Sequence, residues 1–161
     1  MAKKKHVKTN AVRILEKLGI GYELREYDVD ETNLSGMTVA AKIGLPPPQV
    51  FKTLVARGAK TGILMASIPT DRELDLKALA AAAEDKKVEL VPVREIQQLT
   101  GYIRGGVSPV GTKKEYPFFL DKSAFSWPFI SLSAGARGCQ MLIDPRGLEK
   151  AVAVTACSIT K

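Results

Sequence analysis

From Thr9 onward the apolar residues Ala11, Ile14, Leu15 and Leu18 recur at intervals of three and four, which predicts an amphipathic helix stopped by Gly19. Tyr22 to Tyr27 alternates between apolar and polar and predicts a strand, followed by a polar stretch with turn chemistry from Asp28 to Gly36. Thr38 to Ile43 predicts a short helix closed by Gly44. Pro46-Pro47-Pro48 then breaks any helical path and feeds a strand over 51–57, which turns through Gly58 to Gly62 into a second strand, Ile63 to Ile68. This places a hairpin in the middle of the fold. Asp75 can cap a helix carrying Leu76, Leu79, Ala80 and Ala83, and after a strand from Val88 to Val91 a further helix runs to about Thr100. Phe118 to Asp121, Phe129 to Leu132 and Cys139 to Asp144 predict strands, and a helix from Pro145 to Val152 leads to a last short strand. Helices and strands alternate without a strict βαβ repeat. The pattern predicts one mixed α/β domain over residues 7–158, preceded by a basic flexible tail at 1–6.

Composition narrows the class. The chain has 161 residues, of which 45% are hydrophobic and 25% charged, enough apolar surface for one packed core. The first apolar run is too short for a secretory signal, and no stretch approaches the roughly 20 apolar residues of a membrane span. A soluble protein of the reducing cytoplasm is expected, because Cys139 and Cys157 suit neither a disulfide framework nor a metal-ligand spacing. The net charge of +7 is concentrated at the start, where Lys3, Lys4, Lys5, Lys8, Arg13 and Lys17 face Glu16 alone. Such a face is either simply solvated or a contact for phosphates.

Few residues can carry chemistry. Strand parity puts Lys52 on one face with Leu54 and Ala56, while Phe51, Thr53 and Val55 take the other, so the lysine aligns with core positions. Parity alone favours an ordinary edge-strand lysine; a functional one would be a fixed cation beside a ligand. Between Gly101 and Gly111 four glycines surround Ser108-Pro109, a loop able to bring backbone N–H groups close to an anionic oxygen, although it matches no nucleotide fingerprint. A second loop, Ser133 to Gly138, is predicted between two strands as the opposite wall of one pocket. Cys139 lacks a base, since the single histidine is His6 in the tail, and reads as a buried structural thiol. No triad, metal cluster or carboxylate pair can be assembled, so no metal and no cofactor are expected.

Taken in order, Lys8-Thr9-Asn10-Ala11, Phe51-Lys52-Thr53-Leu54-Val55, Leu74-Asp75-Leu76-Lys77, Thr100-Gly101-Tyr102 with the Gly105-Gly106-Val107-Ser108-Pro109-Val110-Gly111 run, and Ser133-Ala134-Gly135-Ala136-Arg137-Gly138 resemble the YbaK family of aminoacyl-tRNA deacylases. That family is related to the editing domain of bacterial prolyl-tRNA synthetase. The resemblance implies a barrel-like mixed β-sheet with flanking helices and hydrolysis of cysteine mischarged onto tRNA(Pro), assisted by the substrate's own thiol. It assigns the essential lysine to Lys52 and the substrate pocket to Tyr27, Ser35, Thr53, Gly105, Gly106, Ser108 and Ser133. Phosphate contacts with tRNA would fall to Lys4, Lys5, Lys8, Arg13, Lys113 and Lys114, with prolyl-tRNA synthetase as a transient partner. Cysteine-specific members carry an aromatic residue before the glycine matching Gly36, whereas this chain has Ser35. A smaller, more polar wall there keeps open a deacylase for alanine or serine; a noncatalytic tRNA- or synthetase-binding module is the remaining alternative.

Overall fold

The computed structural model describes residues 8–161, and the predicted basic tail with Lys4 and Lys5 lies outside the described residues. Helix α1 (Asn10–Lys17) starts where Thr9 can cap it: the Thr9 Oγ1 accepts from the Val12 N–H at 3.2 Å and donates to the Ala134 carbonyl. Ala11, Val12 and Leu15 are buried along one stripe. Leu18 falls beyond the last helical residue and is 52% exposed, because the chain turns at Gly19 and buries Ile20 instead.

Strand β1 (Glu23–Glu26), helix α2 (Gly36–Ile43) and a 3-10 turn (Pro47–Gln49) lead into the hairpin of β2 (Phe51–Gly58) and β3 (Gly62–Pro69). Helix α3 (Leu76–Ala82), β4 (Val88–Leu90), α4 (Val93–Thr100), β5 (Phe118–Asp121), a 3-10 turn (Lys122–Ser126), β6 (Ile130–Ala136), β7 (Cys139–Ile143), α5 (Pro145–Ala151) and β8 (Val154–Cys157) follow. These strands form two sheets, in the orders β1-β7-β6 and β4-β2-β3-β5-β8. The larger sheet is mixed, since β3–β5 and β5–β8 run parallel while β2 pairs antiparallel with both β3 and β4. The mixed α/β class holds, but the sheet does not close into the expected barrel. The two sheets meet at a single parallel bridge between Val50 and Ser131. Local periodicity encodes each strand but carries no information on whether the outermost strands of separate sheets find each other.

Both faces of β2 are covered. Phe51 and Val55 join Met65, Leu120 and Leu132 in one core, whereas Ala56 joins Leu64, Ile68 and Leu79 beneath α3 in another. Each fully buried leucine or isoleucine in these clusters contributes about 1.5–3 kcal/mol of hydrophobic stabilisation. A third, smaller cluster holds α2 against Val50 through Val39, Ala40 and Ile43. The structure also corrects the predicted loop over 133–138: β6 continues to Ala136 through a bulge between Ser133 and Ala136, leaving a tight turn at Arg137 and Gly138. Gly135 lies in the bulge at φ +100°, which is why the segment reads as a loop in sequence.

The hairpin turn is held from outside by Asp85. Its Oδ2 accepts from the Lys60 N–H, the Thr61 N–H and the Thr61 hydroxyl, each at 2.9 Å. The Thr61 N–H is the main cause of a carboxyl held well below the ordinary carboxylate range, with desolvation opposing it. A folded-state pKa below the unfolded one means that this contribution is complete above the unfolded value of about 3.9 and fades as the pH falls below it. Asp85→Asn is therefore expected to be less stable than the parent at pH 7, with the difference narrowing under more acid conditions. Urea unfolding at pH 7 and pH 3 measures this, and an equal difference at both would contradict it.

Candidate active site

The seam between the sheets opens into a cleft of about 390 Å³, walled by α2, the first half of β2, the start of α4, the glycine loop at Arg104-Gly105, and the adjoining positions of β6 and β7. Lys52 lines it. The lysine is half-buried between the buried Phe51 and Thr53, and its register partner is the fully buried Ile68. No aspartate or glutamate lines the cleft, and among the described residues Lys52 has no ion-pair or hydrogen-bond partner. A partly desolvated ammonium without a counter-charge attracts an anionic or strongly dipolar oxygen.

The other predicted pocket residues divide into those that reach the cleft and those that do not. Thr53, Ser35, Gly105 and Ser133 line it with Lys52. Thr53 Oγ1 lies 2.7 Å from Ser67 Oγ across the hairpin, and Ser133 Oγ accepts from the Gly135 N–H at 3.1 Å. Ser35 caps α2, its Oγ accepting from the Thr38 N–H at 3.3 Å, so its small polar side chain also serves the helix that walls the site. Gly105 keeps its N–H without a protein partner among the described residues, but the Gly106 N–H donates to the Ile103 carbonyl at 2.8 Å. Ser108 is fully buried and its Oγ accepts from the Val110 N–H, while Tyr27 packs beside the α2 cluster and is absent from the cleft wall.

The glycine loop is fixed by Tyr102, which donates to the Val110 carbonyl at 2.7 Å. Burial pushes its phenol up to about 12, with the Ala11 N–H opposing, so it remains a neutral donor. Gly111 sits against Asn10 and Ala11 at the start of α1, which brings Arg13 on the helix and Lys113 and Lys114 after the loop onto neighbouring elements. Lys8 is engaged by Glu16 at 2.8 Å and Lys113 donates to the Gln98 carbonyl at 3.3 Å, whereas Arg13 and Lys114 are exposed. Cys139 lies in the core, as expected for a structural thiol; burial first and the Glu26 charge second push it up to about 11.

A comparison with known families decides the class: residues 35–151 match the aminoacyl-tRNA editing domain, a span that includes α2, Lys52, the glycine loop and Ser133. The chain belongs to that family. This editing domain is 44% identical over 149 residues to EbsC of Enterococcus faecalis, a protein named provisionally as a Cys-tRNA(Pro)/Cys-tRNA(Cys) deacylase, with 92% of this chain and 91% of that protein aligned. It is 34% identical over 76 residues to a proline–tRNA ligase of Thermosipho africanus, covering 47% of this chain and 13% of the ligase. Its fold matches, at a TM-score of 0.83 and 22% identity, a solved structure described provisionally as a trans-editing enzyme for prolyl-tRNA synthetase, with 97% and 99% of the two chains covered.

Two polar residues of the editing domain's cleft, Thr70 and Gln140, escape the sequence reading. Arg104 adds a second cation at the exposed rim, its carbonyl tied to Arg137 Nε at 2.8 Å. Thr70 carries the one fully enclosed side-chain oxygen without a partner among the described residues, and it packs so closely on Gly36 that a side chain at that glycine would collide with its hydroxyl. Gln140 is 5% exposed and shares the cleft wall with Ser133, its register partner. Its signal in the sequence is one polar residue inside the otherwise apolar run Cys139-Gln140-Met141-Leu142-Ile143.

Proposed function

We propose that this editing domain removes cysteine mischarged onto tRNA(Pro) by cleaving the aminoacyl ester. What carries the proposal is a cleft that pairs an uncompensated lysine with a free backbone N–H and, among the described residues, contains no histidine, cysteine or carboxylate to act as nucleophile or base. The name of the E. faecalis relative points to the same substrate. In this reading the thiol of the substrate attacks its own ester carbonyl: a C–S bond forms, the C–O bond to the terminal ribose breaks, and the thiol proton passes to the departing ribose oxygen. Free tRNA and a cyclic thiolactone result, and water later opens the ring to cysteine. Lys52 and the Gly105 N–H stabilise the charge gathering on the carbonyl oxygen, while the substrate supplies a nucleophile already held within reach.

Arg13, Lys114 and the rim residue Arg104 would neutralise phosphates near the tRNA 3′ end, and such contacts carry little sequence information. Prolyl-tRNA synthetase as a transient partner would supply the missing tRNA identity. The mischarging itself has a physical origin, since a hydrophobic pocket separates near-isosteres by only about 1–3 kcal/mol.

Single-turnover hydrolysis of Cys-, Ala- and Ser-tRNA(Pro) tests the mechanism. Cysteinyl ester is expected to disappear at least about 100-fold faster than the other two, because only it carries the intramolecular thiol. Equal rates would overturn thiol assistance. Ser35 favours a second reading, since a small hydroxyl at that wall suits alanine or serine, and preference for either ester would select it. Hydrolysis of none would leave a tRNA-binding module.

A further inference from the structure

We propose that Gln140 contacts the substrate, donating a hydrogen bond from Nε2 to the carbonyl oxygen of the scissile ester, with Ser131 as the positioning residue that aims it. The inference rests on the deacylase reading above and adds a residue to that site.

All five residues of β7 are buried, and a glutamine withdrawn from water is destabilising wherever one end of its amide is left unpaired. Half of the amide is satisfied: Oε1 accepts from the Ser131 hydroxyl at 2.8 Å, and Ser131 is fully buried. The other half is not, since Nε2 has no acceptor among the described residues. It is also not enclosed, because the one enclosed, unpaired side-chain nitrogen or oxygen in that set is Thr70 Oγ1. The nitrogen of a residue 95% buried is therefore not sealed off, and the cleft is the opening that Gln140 borders. Strand parity agrees, since Ser131, Ser133 and Gln140 share one face of the small sheet while Leu132 and Met141 enter the core on the other. Ser131 thus fixes which end of the amide points outward.

The chemistry of the lining says what this donor meets. Lys52, the Gly105 N–H and Gln140 Nε2 are donors without acceptors, and no carboxylate is present to hold the substrate's α-ammonium. A group of unpaired donors fits an oxygen that becomes more negative as the ester is attacked. The Gly106 N–H is committed to Ile103 and does not join this set, so the side-chain amide stands as its further donor.

The test compares Gln140→Met, which keeps length and removes the donor, with Gln140→Glu, which offers a carboxylate instead, and with Ser131→Ala, which frees the amide to rotate. For Cys-tRNA(Pro) deacylation kcat is expected to fall about 100-fold in Gln140→Met and further in Gln140→Glu, with KM changed less than about threefold. Ser131→Ala is expected to lower kcat about tenfold at unchanged KM, a split that a purely structural role would not produce. A readout independent of turnover uses 15N-labelled parent protein titrated with the stable amide 3′-cysteinylamino-3′-deoxyadenosine, for which the Gln140 side-chain NH2 signals should shift on saturation. If the parent hydrolyses Cys-tRNA(Pro) but Gln140→Met keeps its kcat, or the NH2 signals stay fixed while neighbouring cleft signals move, this inference fails alone. A parent that neither hydrolyses any of the three esters nor binds the amide overturns the deacylase reading, and this inference with it.

Discussion

Lys52→Ala is expected to lower single-turnover deacylation of Cys-tRNA(Pro) by at least about 100-fold while leaving tRNA affinity within about threefold. The expected loss is the scale seen when a preorganised donor to a developing oxyanion is removed. Affinity should survive because most of the phosphate contacts would lie on other residues, Arg13 and Lys114 among them. The fold should survive as well: Lys52 makes no ion pair among the described residues, and a half-buried cation without a partner adds nothing to stability that alanine would forfeit. Lys52→Arg is not expected to rescue turnover, since a planar guanidinium delivers its hydrogen bonds in a different geometry from a compact ammonium. Stopped-flow turnover and a filter-binding titration on the same preparation separate the two quantities. Unchanged turnover in Lys52→Ala would remove the lysine from the mechanism.

The second large effect lies outside the cleft. Gly111 has φ +81°, and a Cβ there would stand 2.7 Å from the Tyr102 hydroxyl, 2.9 Å from the Ala11 nitrogen and 3.0 Å from the Asn10 carbonyl carbon. Two of these are backbone atoms in the first turn of α1 and cannot rotate aside. Gly111→Ala is expected to cost about 2–5 kcal/mol, combining left-handed strain of about 1–2 with overpacking of about 1–3. For a chain of this size that lowers Tm by about 4–20 °C. Gly44→Ala supplies the control, because Gly44 has φ +74° with nothing within 4 Å of the added carbon and so isolates the strain. Equal Tm values for the two variants would show that the contact with α1 is dispensable.

Lys52 illustrates what the sequence made legible and how. Alternation along Phe51-Lys52-Thr53-Leu54-Val55 places a cation at a core-like position whatever the fold, and the structure finds that strand covered on both faces. The capping residues Thr9 and Asp75 were legible for a similar reason, since each cap is a local interaction. Ser108 shows the limit. A glycine-rich motif names its members without saying which of them face a ligand, and this hydroxyl is spent on the Val110 N–H inside the turn. Gln140 was missed because its neighbours Ser131 and Ser133 belong to another strand, and only the register of β6 with β7 unites them. The same long-range information decides that the two sheets stay separate.

Thr9, which starts α1, donates one hydrogen bond to the Ala134 carbonyl, one residue beyond Ser133 in the cleft wall. That link ties the helix directly to the wall, as the two arms of a caliper are tied. A tRNA held by α1 would present its 3′ end at a span set by the protein and not by the nucleic acid, so an acceptor strand shortened or lengthened by one nucleotide would overshoot or fall short of Lys52 with its phosphate contacts intact.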